Sequence, residues 1–302
     1  MVTKKNLHSV ELNPDAILNV TIAGNIIETR YSEHRNSAPV VRNISKDECV
    51  NIKTGEIIQK KHSKSRESNI SSVNKSLRKV RDLINTNITD SRSALFVTLT
   101  FKDNMSDYSG LSDTYKAFYR RFKNYCRKNG ITEPKYIWVP EPQATGSWHI
   151  HLILFWQDAA PYISNHDIDT IWSNGITHTT KVDCISNLGL YLTSHMSDLP
   201  EDECTNSRRA SKRSVTLESD GEKIKKTMVK NARLSLYPTG MNIVHASRGL
   251  KRPVQCTARQ DIVEQWVADY RKTFSTAYKI MDDETGFTNT LVYASYQRKK
   301  PE

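Results

Sequence analysis

What the sequence lacks narrows it first. No apolar run approaches the roughly 20 residues that a membrane-spanning helix needs, and the opening MVTKKNLHSV has no apolar core of the signal-peptide kind. The protein is therefore expected to be soluble, to have no membrane partner and to stay in the cytoplasm, where it is made. Five cysteines, Cys49, Cys126, Cys184, Cys204 and Cys256, stand far apart with no CxxC pair. That spacing argues against a disulfide framework or a zinc ribbon and fits a reducing compartment. No internal repeat is visible. Acidic residues are scarce in one stretch: between Arg208 and Arg252 twelve Lys or Arg face three acids, so +9 of the formal +11 falls in that segment of the 302 residues. Such a cluster suits a polyanionic partner as well as it suits a solvated face.

The pattern of apolar residues predicts an α+β fold. From Asn69 to Asn85, Val73, Leu77, Val80 and Ile84 recur at helical spacing. ALFVTLTF, from Ala94, is β-branched and aromatic and reads as a buried strand. A helix capped by Ser112 follows, with Tyr115, Phe118, Phe122 and Tyr125 on one side up to Gly130. KYIWVPEPQ and WHIHLILFW are two strands joined across a turn at Ala144 to Ser147, so they are expected to pair as a hairpin. Beyond them NHDIDTIWSNG predicts a short helix capped by Asn165 and stopped by Gly175, ITHTTKV a strand, and SNLGLYLTSHMSDL a helix. Pro200 to about Lys230 reads as a mobile insertion, NARLSLYPTGMNIVHASRGLKRP as strand-like, and RQDIVEQWVADYRKTFSTAYKI as an amphipathic helix through Ile262, Trp266, Tyr270 and Phe274.

Within this pattern one group of side chains suggests chemistry. Side chains alternate along a strand, so His149 and His151 share a face, about 7 Å apart along the chain direction. Glu141 lies eight residues before His149, close to opposite it if the turn falls near Thr145 and Gly146. One carboxylate and two imidazoles suit Mg²⁺ or Mn²⁺ when a substrate adds phosphate oxygens. A plain polar sheet face would carry the same residues. Tyr191, at the edge of a predicted helical stripe, is either a core aromatic or a phenol directed at such a metal. A phenol attacks only if a polarised phosphate or a base assists it, because its ordinary pKa is about 10.

The order FVTLTF, EPQATGSWHIHLILF and GLYLTSHMSDL resembles the three motifs of the HUH endonucleases, in particular the rolling-circle replication initiators of small bacterial plasmids and phages. The resemblance spans Leu95 to Leu199, and ARLSLYPTGMNIVHASRGLKRP is similar to the region that follows the nuclease domain in such initiators. It implies an HUH or RRM-like central antiparallel sheet flanked by helices, with additions at both ends. The expected division is an accessory region 1–90, the nuclease domain 91–200, a basic, strand-containing extension 201–255 and a C-terminal helical region 256–302. The resemblance further implies Glu141, His149 and His151 as ligands of Mg²⁺ or Mn²⁺, and Tyr191 as the nucleophile that nicks single-stranded origin DNA through a 5′-phosphotyrosine. The freed 3′-OH would pass to host polymerase and helicase.

Where relatives often carry a lysine, three residues after the tyrosine, this chain has Ser194, and His195 stands in place of a second tyrosine, which favours a single-nucleophile cycle. His195 is an auxiliary candidate, read first as a packed surface residue, and Tyr237 is an alternative nucleophile. Arg208, Arg209, Lys212, Arg213, Lys223, Lys225, Lys226, Arg248, Lys251 and Arg252 are the expected DNA contacts, with Trp148 available to stack a base. A relaxase or single-tyrosine transposase would share this chemistry. A non-catalytic nucleic-acid-binding regulator with an RRM-like sheet would bind DNA and form no adduct.

Overall fold

The structure, a computed structural model, describes residues 2–35, 40–60, 70–143, 145–181, 189, 193, 198–204, 212–219, 222–229, 232–238 and 240–299. The chain forms two compact units, one of residues 1–62 with 252–302 and one of residues 63–251.

The first unit opens with β1 (Val2–Leu7), β2 (Ile17–Ala23) and β3 (Ile26–Ser32). The short strands β4 (Val41–Asn43), β5 (Glu48–Asn51) and β6 (Ile57–Gln59) make a separate sheet, with the expected turn at Thr54 and Gly55 between the last two. The chain then leaves for the second unit and returns as β15 (Val254–Arg259), α4 (Gln260–Trp266), β16 (Tyr270–Asp282) and β17 (Thr288–Arg298). Both ends of the sequence build one antiparallel sheet, in the order β1-β16-β17-β3-β2-β15. Leu18, Val20, Ile27 and Val263 form its core.

The second unit is built on a five-stranded antiparallel sheet. Its elements are α1 (Ile70–Asn87), β7 (Ala94–Phe101), α2 (Leu111–Lys128), β8 (Lys135–Pro142), β9 (Trp148–Phe155), α3 (Asn165–Trp172), β10 (Gly175–Lys181), β11 (Leu199–Pro200), β12 (Lys212–Ser219), β13 (Glu222–Val229) and β14 (His245–Ala246). The sheet order is β10-β7-β9-β8-β14, and β11, β13 and β12 form a small sheet beside it. One face packs against α2 and α3, with Phe118, Phe122, Leu99, Ile150, Leu152 and Trp172 fully buried. The other packs against α1, whose Val80 and Ile84 meet Phe96, Ile153 and Phe155. Antiparallel sheets with four helices among the described residues make this the expected α+β fold. No helix among the described residues is long and apolar enough to cross a membrane.

Several local expectations change. The helix expected to run through Phe274 ends at Trp266, and the C-terminal region is mainly strand. Thr273, Phe274, Thr276, Tyr278 and Ile280 favour a pleated surface, and pairing with β1 and β17 outweighs their helical spacing. Pro200 to Lys230, expected to be mobile, contains the paired strands β12 and β13, whose register closes Ser219 on Glu222 around an Asp-Gly hairpin signal. Helix α3 is capped by Ser164, whose Oγ accepts from the Asp167 amide at 3.1 Å, and ends at Ser173 in the left-handed region with φ 58°. Leu111 opens α2, one residue before the expected cap.

Candidate functional site

The hairpin of β8 and β9 places the candidate residues. Its turn closes where Gly146 donates to the Gln143 carbonyl at 2.9 Å, with Gly146 at φ 84°, a conformation that favours glycine. That turn sets the register: Glu141 pairs with His149, Val139 with His151 and Ile137 with Ile153. On the other side β7 sets Thr100 opposite His149, Thr98 opposite His151 and Phe96 opposite Ile153. Residues that face each other across an antiparallel pair share a side of the sheet, so both histidines and Glu141 stand on the α1 side.

Glu141 and His151 are both buried, and Glu141 Oε2 touches His151 Nε2. The other imidazole nitrogen, Nδ1, is hydrogen-bonded to Thr98 Oγ1 at 3.2 Å, and the ring stacks on Phe96 with centroids 5.4 Å apart. Gln143 Nε2 donates to Glu141 Oε2 at 3.2 Å. Glu141 Oε1 faces the guanidinium of Arg233 at 2.9 Å. His149 is half-buried, and burial pushes its imidazole below the ordinary histidine value; Glu141 opposes the shift, while His151 and Arg233 add to it. The neutral form that results is the one that can ligate a cation.

Sequence reasoning missed Arg233. It is buried, and besides Glu141 it donates from Nη1 to the Pro142 carbonyl at 2.7 Å and from Nε to the Asp198 carbonyl at 3.1 Å. Close by in sequence, buried Tyr237 donates its hydroxyl to the Pro140 carbonyl at 2.9 Å. The segment after β13 thus clamps Pro140, Glu141 and Pro142. Only the interruption of a basic, strand-like stretch by ARLSLY hinted at it. Trp148 is not available to stack a base: it is buried, and its Nε1 donates to the Ser106 carbonyl at 3.3 Å.

Tyr191 and His195 lie outside the described residues. Two of their neighbours are described, and both are helical: Gly189 and Thr193, with Thr193 Oγ1 donating to the Gly189 carbonyl at 2.9 Å. The Gly189 amide donates to Asn85 Oδ1 on α1 at 3.2 Å. A Cβ on Gly189 would stand 2.5 Å from the Arg81 carbonyl oxygen. The absence of a side chain is what lets this segment pass against α1, on the same side of the sheet as Glu141 and the histidines.

Of the expected DNA contacts, Arg208 and Arg209 lie outside the described residues. Lys212 and Arg213 are in β12, and Lys223, Lys225 and Lys226 in β13. Lys212 pairs with Glu201. Arg248 is exposed, as is Lys251, whose backbone is held by the Asn87 amide group; Arg252, also exposed, opens the returning part of the first unit.

Among the described residues no three His, Cys, Asp or Glu side chains are gathered to hold an ion as they stand, Glu141 being closed onto His151 and Arg233. The donor set nevertheless fits a divalent cation in its chemistry. One carboxylate and two imidazoles share a face, and the Thr98 contact holds the His151 ring with Nε2 towards the carboxylate. No curated protein and no solved structure matches the chain. The region that carries the hairpin and the α1-side pocket, residues 94–199, matches the replication-associated protein family of the ORF2 type, in keeping with a rolling-circle replication initiator.

Proposed function

We propose that the protein is a metal-dependent, site-specific endonuclease that nicks and rejoins single-stranded DNA to start rolling-circle replication. The observation that carries this reading is the register of Glu141 opposite His149, with His151 in contact with Glu141, inside the replication-associated segment.

Glu141, His149 and His151 would hold Mg²⁺ or Mn²⁺, which when bound supplies Lewis-acid stabilisation of charge on a phosphate. Thr98 orients His151 and Arg233 orients Glu141, so both donors keep one geometry. Tyr191 is the nucleophile. Its phenolic oxygen, losing its proton, forms a bond to the scissile phosphorus, and the phosphorus–O3′ bond breaks. The DNA 5′ end remains on the tyrosine and the 3′ oxygen leaves as a hydroxyl after taking up a proton. That 3′-OH is the primer for host polymerase, with host helicase opening the duplex, in the cytoplasm. Attack by the same hydroxyl on the phosphotyrosine reverses the bond exchange and rejoins the strand.

The test is incubation with single-stranded origin oligonucleotides and Mn²⁺, resolving covalent protein–DNA species on a denaturing gel. Wild type forms the adduct and Tyr191→Phe does not. An undiminished adduct in Tyr191→Phe would move the nucleophile elsewhere. No adduct in wild type on any origin strand would leave DNA binding without catalysis.

A further inference from the structure

On the opposite side of the sheet from Glu141 and the histidines, a groove of about 440 Å³ lies between α2 and the start of β8. Its cationic rim is periodic. Lys116, Arg120, Lys123 and Arg127 recur at steps of four, three and four, which puts them in one stripe along the helix, and all four are exposed. Lys116 pairs with Asp113 at 2.7 Å and Lys123 with Glu133 at 3.3 Å, both at the surface, where such pairs exchange readily with other anions. Arg120 and Arg127 have no carboxylate partner among the described residues.

The floor is aromatic. Tyr119 and Tyr136 meet edge to face with centroids 4.6 Å apart, and the Tyr119 hydroxyl is anchored on the Pro134 carbonyl at 2.8 Å. Tyr115, 2% exposed, also lines the groove, and its hydroxyl has no hydrogen-bond partner among the described residues. A buried hydroxyl is seldom left unmatched. A merely solvated helix face accounts for the cations, but not for an orphaned donor at the floor of a cavity that they surround.

We propose that this groove binds single-stranded DNA. Arg120 and Arg127 face phosphates of the strand, Tyr119 and Tyr136 offer ring surface to a base, and the Tyr115 hydroxyl donates to an acceptor of the bound nucleotide. The choice of DNA over other polyanions rests on the proposed nickase activity. It adds a second holding place for the strand, away from the reacting phosphate, so that DNA on one side of the scissile bond is retained while the other is exchanged.

The test uses full-length protein carrying Tyr191→Phe, so that nothing is cleaved, and fluorescein-labelled oligothymidylate in anisotropy titrations at several salt concentrations. Arg120→Gln with Arg127→Gln lowers the log–log salt slope by about 1.4, since each single-strand phosphate contact contributes about 0.7. Tyr115→Phe weakens binding by roughly 2- to 10-fold, as expected for one hydrogen bond, and leaves the slope unchanged. Should the glutamine pair unfold the protein, Arg120→Lys with Arg127→Lys keeps the charge and is expected to keep the slope, while single glutamine variants each lose about half of the effect. An unchanged slope in folded glutamine variants overturns the proposal. So does displacement of the oligonucleotide by equimolar thymidine monophosphate, which would make the groove a mononucleotide site. The nicking assay separates the two readings. An adduct with an unchanged slope sinks the groove alone, and a lowered slope without an adduct sinks the nuclease alone.

Discussion

Arg233 Nη2 stands 2.9 Å from Glu141 Oε1, and the side chains are only 5% and 7% exposed. A buried ion pair is stabilising mainly against the loss of one partner, because the survivor keeps its charge in a place without water. Arg233→Ala is therefore expected to destabilise the protein by about 3–5 kcal/mol in denaturant unfolding. Arg233→Lys retains a charge but cannot reach Glu141, Pro142 and Asp198 together, so it should recover part of the stability and less of the Mn²⁺ affinity. Equal recovery of both, measured by unfolding and by metal titration, would make Arg233 a fold staple with no bearing on the site.

The histidines separate the metal reading from the plain one. His149→Ala or His151→Ala should nearly eliminate nicking and lower Mn²⁺ affinity by about 10- to 100-fold or more, since even outer-shell partners carry effects of that size. Glu141→Ala should act in the same direction and also free Arg233, so its stability loss exceeds that of His149→Ala. Full nicking in both histidine variants, after chelation and metal replenishment, would return the pair to a polar sheet face.

Gly189 tests how the nucleophile segment is held. Gly189→Ala forces a Cβ within 2.5 Å of the Arg81 carbonyl oxygen, so either α1 or the segment must shift. A stability loss of about 1–3 kcal/mol is expected for such overpacking. Adduct formation at a temperature where the variant remains folded should fall further than its DNA binding. Unaltered adduct yield would mean that Tyr191 does not depend on this approach.

The basic extension can be examined apart from the chemistry. Neutralising Arg208, Arg209, Lys212 and Arg213 should reduce the salt slope of single-strand binding by about 3 if all four contact phosphates, and by about 1 if one or two do. Nicking at saturating DNA survives. An unchanged slope would shift the contact surface to Lys223, Lys225, Lys226 and the Arg248 to Arg252 stretch.

Local pattern carried much of the second unit. Val73, Leu77, Val80 and Ile84 read as one helical stripe, and all four are buried on α1. The turn around Gly146 between two apolar runs was enough to place Glu141 opposite His149, because hairpin register follows from turn position and a period of two. The same reasoning failed at Tyr270 and Phe274, where helical spacing and strand alternation are both present and the choice belongs to the neighbouring strands β1 and β17.

By itself, then, the sequence determined the periodic elements and the side chains that share a face within a hairpin, since both follow from backbone geometry over a few residues. Only the tertiary structure decided that the two ends of the chain close one six-stranded sheet, and that Arg233, 92 positions beyond Glu141, is the cation that neutralises it. It likewise decided that Tyr115 is left with an unmatched hydroxyl under a cationic groove. Contacts between residues distant in sequence depend on how whole elements pack, and no short-range pattern encodes which buried charge or donor will meet which partner.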